Sequence, residues 1–162
     1  FMISSNQIGP FPEGLQVGLV NINERKVLLN FLDHKEVIPN NRNSVYDLKV
    51  IAGDQEYVKS MSQEILSSIP EEFSLGQNYP NPFNPITQME YSLPQSSKVV
   101  ISIYNVLGQE IKTLVNKEQD YGYHSVSWDG TDRLGKSVAS GVYFTQMRSG
   151  GFSQSKKMLL LK

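Results

Sequence analysis

From residue 88 onward, apolar and polar side chains alternate in short runs cut by Gly, Asn and Asp. A two-residue period puts one face of a strand in a core and the other in water, whereas a helix needs a period near 3.6. Met89, Tyr91 and Leu93 alternate within 88–93, and Val99, Ile101 and Ile103 share a face of 98–106. After a turn at Leu107-Gly108-Gln109, residues 110–115 carry Ile111 and the Leu114-Val115 pair. His124, Val126 and Trp128 share a face of 122–128, and Tyr143, Thr145 and Met147 oppose Val142 and Phe144 within 141–148. Gly150-Gly151 then turns the chain into a last strand, 152–162. Six strands at this spacing predict an all-β antiparallel sandwich. A seventh, short strand is expected near 73–75 or 137–139.

The first half is also β-like, with candidate strands at 15–21, 26–32, 44–52 and 56–59 and a turn at Gly53-Asp54. Residues 1–59 are short for an independent sandwich, which takes roughly 100 residues. They read as a smaller or truncated β-rich domain, as the end of a preceding β-sandwich, or as strands added to the second sheet. Residues 60–72 lack strand alternation and stop at Pro70, so they read as a linker with at most one helical turn. The charge balance changes there: residues 1–72 hold 6 basic and 10 acidic side chains, and 73–162 hold 9 and 6. Beyond it, Asn78-Tyr79-Pro80-Asn81-Pro82-Phe83-Asn84-Pro85 must run extended, because each Pro fixes φ and biases the residue before it.

Composition removes several classes of function. The net charge of -1 gives no global pull toward nucleic acid or an anionic membrane. The absence of Cys excludes disulfides, Cys-ligated zinc and a thiol nucleophile. No apolar run approaches the roughly 18 residues of a membrane span, and residues 1–5 do not form a signal peptide, which suits a cytosolic protein or the downstream part of a longer precursor.

No catalytic, cofactor or resident metal site is expected. Two histidines, His34 and His124, are few for a zinc site, and no nucleophile elbow, Walker or dinucleotide motif occurs. Asp129 and Asp132 flank Gly130-Thr131, with Gly135 after them, a composition that builds a tight loop unaided. They are also the weak candidates for calcium, a hard cation suited to carboxylate oxygens. Trp128 is expected as a core anchor between two sheets. Gly108, Gly130 and Gly141 are expected to hold turns that a Cβ strains. Lys156-Lys157 precedes the apolar run Met158-Leu159-Leu160-Leu161 on a strand whose free edge is open to pairing with a receptor.

Taken in order, Leu75-Gly76-Gln77-Asn78-Tyr79-Pro80-Asn81-Pro82-Phe83-Asn84-Pro85, Tyr91-Ser92-Leu93-Pro94, Ile103-Tyr104-Asn105-Val106-Leu107-Gly108-Gln109-Glu110, the segment 122–130, Ser140-Gly141-Val142-Tyr143-Phe144 and Lys156 to Lys162 form an ordered set of motifs. Over residues 73–162 it resembles the type A C-terminal sorting domain of the type IX secretion system. It is also similar to the immunoglobulin-like domain of flagellar hook-capping proteins. Thr145 and Met147 depart from the pattern, where an aromatic and Leu are expected.

The resemblance implies an immunoglobulin-like β-sandwich that is a non-catalytic address label for a secreted cargo. It implies recognition by the outer-membrane translocon of a Gram-negative bacterium, and in many relatives removal by a sortase-like peptidase with attachment to lipopolysaccharide, or release. The expected location is extracellular or on the cell surface, reached through the periplasm, for a monomer without cofactor, nucleic-acid partner or membrane insertion. The residues expected to meet the translocon are Lys156, Lys157, Met158, Leu159, Leu160 and Leu161. The competing reading is a carbohydrate-binding or adhesive sandwich of a secreted hydrolase, using Tyr79, Phe83, Tyr121 and Tyr123 as exposed aromatics.

Overall fold

Short apolar runs open the described chain and form a three-stranded antiparallel sheet. A computed structural model describes residues 14–28 and 47–162, so His34 and parts of the strands expected at 26–32 and 44–52 lie outside the described residues. The chain divides into two compact units between Ile69 and Pro70.

In the first unit, β1 (Gln16–Asn21) lies between β2 (Lys26–Leu28) and β3 (Leu48–Gly53). A 14-residue helix comes next, α1 (Gln55–Ser68). The short strand expected at 56–59 is therefore helical, and most of the expected linker at 60–72 belongs to this helix. Asp54 starts it by accepting the Tyr57 N–H at 2.8 Å, an N-cap bond for one of the amides left open at a helix start. Val58 and Ser62 form its buried stripe. A Ser in that stripe disguises the helical period, since its hydroxyl is satisfied within the helix by the Val58 carbonyl. Gly18 of β1 lets the helix close in: a Cβ there meets Val58 Cγ1 at 2.6 Å. At the other end the Arg25 guanidinium donates to the Leu66 and Ile69 carbonyls, at 3.0 and 3.1 Å. A cation on the last carbonyls also suits the negative end of the helix dipole.

The second unit is an immunoglobulin-like all-β sandwich. One sheet contains β4 (Ser74–Leu75), β5 (Thr87–Leu93) and β8 (Gly122–Trp128) in that order. The other contains β10 (Phe152–Leu160), β9 (Gly141–Ser149), β6 (Ser97–Asn105) and β7 (Glu110–Gln119). The chain leaves the first sheet after β5, makes the β6–β7 hairpin, returns as β8 and finishes as the β9–β10 hairpin. All pairings are antiparallel. The expected alternations appear as inward faces. Met89, Tyr91 and Leu93 meet Val99, Ile101, Ile103, Trp128, Tyr143, Met147, Met158 and Leu160 in one core.

Strand β7 is longer than the segment expected at 110–115, and two register breaks opposite β6 explain its pattern. Each bulge places an extra residue on one strand and reorients the side chains beyond it. Val115 opposite Ile101 is buried, and Leu114 and Ile111 also pack against the core, although simple alternation cannot bury all three. The short strand expected near 73–75 is β4, while Ser137 makes only a single bridge with Thr131.

Thr145 is fully buried between Ile103 and Lys156 in the register, and its hydroxyl has no hydrogen-bond partner among the described residues. An unpaired buried hydroxyl costs about 1–3 kcal/mol. Thr145→Val keeps the branched shape without the hydroxyl, so it is expected to stabilise the protein by about 1 kcal/mol. A higher denaturant midpoint at unchanged slope is the measurement that checks it.

Candidate functional site

The residues at 77–83 and 157–161 are far apart in the chain, yet the fold joins them along one edge. Prolines leave this segment few backbone donors, so its side chains take over the work of pairing. Asn78, buried, anchors it: its amide donates to the Pro80 carbonyl at 3.0 Å and to Thr87 Oγ1 at 2.9 Å. Thr87 Oγ1 donates in turn to the Pro80 carbonyl at 2.8 Å. The peptides preceding Pro80 and Pro82 are cis.

The segment then runs along β10. Gln77 Nε2 donates to the Lys157 carbonyl at 2.7 Å. Asn81 accepts the Leu159 N–H at 3.0 Å and donates to the Lys157 carbonyl at 3.4 Å, so its side-chain amide mimics a neighbouring peptide group. Phe83 completes the pairing through its backbone, donating to the Leu159 carbonyl at 3.0 Å and accepting the Leu161 N–H at 2.9 Å, as a parallel bridge. The edge expected to be open for receptor pairing is therefore occupied along Lys157–Leu161. Ser153 and Ser155 continue the same edge, and among the described residues no hydrogen bond joins their backbone to another element on that side.

The six residues expected to meet a translocon do not share a surface. Met158 and Leu160 are fully buried and belong to the core, because strand alternation turns them inward. Lys156 lies on that same inward-facing row and is half-buried, whereas Lys157 and Leu161 are exposed and Leu159 is half-buried. The outward set is Lys157, Leu159 and Leu161, and these residues carry the backbone atoms that Gln77, Asn81 and Phe83 hold. The role of the 77–83 segment escapes a reading of the sequence because its residues show no period, and the complementarity of an Asn amide to a peptide edge has no sequence signature.

Phe83, expected among exposed aromatics, is 2% exposed. Its ring lies 5.6 Å from that of Trp128, which sits 5.1 Å from the Tyr143 ring at a steep angle. Trp128 is the expected core anchor, with its indole N–H donating to the Thr131 carbonyl at 2.9 Å. Tyr143 donates to the Ala139 carbonyl, and burial raises its pKa above the ordinary tyrosine value. Tyr79 and Tyr123 are exposed. Tyr79 bridges Gln88 while Tyr123 pairs with Ser92, four positions along the strand, so they form no common platform.

The turn glycines have distinct reasons. Gly108 has φ +75° in the turn that Asn105 closes, accepting the Leu107 and Gln109 amides. Gly130 has φ +68°, and a Cβ there stands 3.3 Å from the Pro85 carbonyl and 3.5 Å from Leu160 Cδ2. It is thus the point where the 129–132 loop touches both the proline segment and β10. Gly141, φ +154°, opens β9.

The calcium candidates are committed to their own loop. Asp129 accepts from the Thr131 hydroxyl at 2.6 Å, the Thr131 N–H at 3.2 Å and the Lys112 ammonium at 3.2 Å. Asp132 accepts the Leu134 and Lys136 amides. Among the described residues no group of three or more His, Cys, Asp or Glu side chains converges. The Thr131 hydroxyl, aided by Lys112, holds the Asp129 carboxyl below its usual pKa near 3.8. The unfolded chain then binds the proton more readily than the folded one, so this contribution is present above about pH 3.8 and fades as pH falls through the lower folded value. Asp129→Asn is expected to flatten that part of an acid-unfolding curve relative to the parent, followed by circular dichroism.

Comparison with known proteins gives three kinds of result. Residues 86–151 match the family described as the FlgD Ig-like domain. No curated protein sequence matches the chain. Among solved structures, FlgD from P. aeruginosa is 23% identical over 46% of this chain and 57% of its own, with a TM-score of 0.38. PorZ, an essential bacterial surface component of the type IX secretion system of Porphyromonas gingivalis, is 15% identical over 70% of this chain and 14% of its own, TM-score 0.39. Dimeric latent PorU of the same organism is 15% identical over 95% of this chain and 13% of its own, TM-score 0.44.

Proposed function

We propose that the second unit is a non-catalytic sorting module, which directs an attached cargo to the outer-membrane type IX translocon for surface attachment or release. The motif order from Leu75 to Lys162 motivates this reading, and the match to an Ig-like domain family over residues 86–151 agrees with its fold. The observation that carries it is the clasp between Asn81, Phe83 and the last strand. It gathers two motif segments from opposite ends of the unit onto one surface, with Lys157 and Leu161 facing out. A receptor reading that surface tests whether the whole sandwich is folded, since neither segment holds this geometry alone. The module itself performs no chemistry, its partners are the secretion machinery and a sortase-like peptidase, and it acts as a monomer outside the cell.

The test is export of a reporter fused ahead of the 162-residue chain in a bacterium with a working type IX system. Lys157→Glu combined with Leu161→Glu changes only exposed side chains, so folding stability is expected to shift by less than about 1 kcal/mol. Surface delivery is expected to fall about tenfold or more, the equivalent of about 1.4 kcal/mol of receptor affinity. Undiminished delivery by this variant, with an unchanged melting curve, removes the reading.

A further inference from the structure

A second surface lies on the outer face of the four-stranded sheet, bordered at β10 by Lys157. Tyr104 of β6 and Phe144 of β9 are direct register partners there, and neither belongs to the core. Outward cross-strand partners have Cβ atoms about 5 Å apart, so the two aromatic side chains leave the sheet side by side. With Asn105, Gln146, Arg148 and Ser155 they line a shallow groove of about 370 Å³. Such a volume lies within the range of small-ligand sites, about 300–1,000 Å³.

The polar side of this groove is pre-arranged. Ser155 Oγ accepts from Gln146 Nε2 at 3.3 Å, and Gln146 Oε1 accepts from Arg148 Nε at 2.9 Å. This relay fixes the guanidinium plane while its two terminal nitrogens make no hydrogen bond or ion pair among the described residues. Beyond the groove, Glu110 of β7 accepts from the Thr113 hydroxyl at 2.8 Å and from the Tyr104 hydroxyl at 3.5 Å. The charged side chain lining the groove is Arg148, whose terminal fork stays free.

We infer that this groove binds an oligosaccharide carrying a carboxylate, such as a uronate. A pyranose presents a flat C–H face to aromatic rings, its hydroxyls can accept from the second Gln146 amide hydrogen, and a ring carboxylate matches the open side of Arg148 in bidentate geometry. An acidic peptide fits less well. The groove floor is a sheet face whose backbone groups are already paired in the β6–β9 and β9–β10 ladders, so an extended chain finds no main-chain partners. The groove borders the surface read in sorting, because Lys157 is the register partner of Phe144, but Arg148 and Gln146 belong neither to the clasp nor to the Lys157 and Leu161 pair, so their substitution tests the groove alone.

The experiment is a ¹⁵N-resolved NMR titration of the whole chain with trigalacturonate, the neutral trisaccharide maltotriose and an aspartate tetrapeptide. Saturable shifts at Tyr104, Phe144, Gln146 and Arg148 are expected with trigalacturonate, with Kd on the order of 1 mM. Arg148→Gln is expected to weaken binding about tenfold, equivalent to about 1.4 kcal/mol, and Phe144→Ser to abolish it, with Tyr123→Ser unaffected. Thermal melts of each variant separate lost binding from lost folding. Absence of saturable shifts, shifts confined to other surfaces, or a tetrapeptide or neutral sugar that binds as tightly as trigalacturonate overturns the inference.

Discussion

Phe83→Ala is expected to loosen the second unit by about 3–5 kcal/mol, the usual range for emptying a buried aromatic site. The cost is high because this side chain acts from an irregular segment, where no neighbouring strand can slide in to fill the space. Its ring is buried against Trp128, and its backbone is the parallel bridge to Leu159 and Leu161. Losing the ring therefore frees the segment that covers the edge of β10. Hydrogen exchange distinguishes this from a general loss of stability. The Leu159 and Leu161 amides, bound to Asn81 and Phe83, are expected to exchange faster than the Met158 and Leu160 amides, which face β9. Equal acceleration at all four positions means the clasp has no separate opening. Asn81→Ala, which removes the side-chain amide that holds Leu159 and Lys157 and leaves Phe83 in place, should accelerate Leu159 selectively at a smaller cost in stability.

Trp128→Ala is expected to be at least as damaging, again about 3–5 kcal/mol, against a total of about 5–15 kcal/mol for an ordinary domain. At about 4–8 °C per kcal/mol for a unit of this size, the melting temperature should fall by roughly 12 °C or more. Three losses combine. The largest side chain of the core disappears, the rings of Phe83 and Tyr143 lose their shared partner, and the Thr131 carbonyl loses its donor. Trp128→Phe isolates the last of these by keeping a ring in place, and should cost about 1–3 kcal/mol. Because Trp128 and Phe83 touch, the double variant is expected to fall short of the sum of the singles. Simple additivity in calorimetry shows the contact to be incidental.

Strands with one wet face are legible in the sequence. In β5, β6, β8, β9 and β10 every second residue faces inward, and Trp128 and Met158 stand at such positions in the core. Strand β7 is harder to read, because its bulges replace the period just where Ile111 and Leu114 turn inward. Helix α1 is hidden for a different reason. Its buried stripe includes Ser62 and its exposed faces carry further serines bonded to their own turns, so no apolar stripe announces it. The site is least legible. Prolines around Phe83 read as a surface loop, and only the fold shows that the loop lies across a strand edge. The division of the final strand into buried Met158 and Leu160 and outward Lys157 and Leu161 is implicit in the alternation, yet the apolar run obscures it.

Gln77, Asn81 and Phe83 have one more consequence. A bare sheet margin is a template on which identical molecules assemble, and proteins commonly shield such margins with charge, proline or irregular chain. Here the cover is built from prolines and borrowed amides that lie across the strand without extending the sheet, so it leaves no fresh margin of the same kind. Loss of this cover should show first in crowded solution, as self-association that grows with protein concentration while the isolated molecule still melts cooperatively.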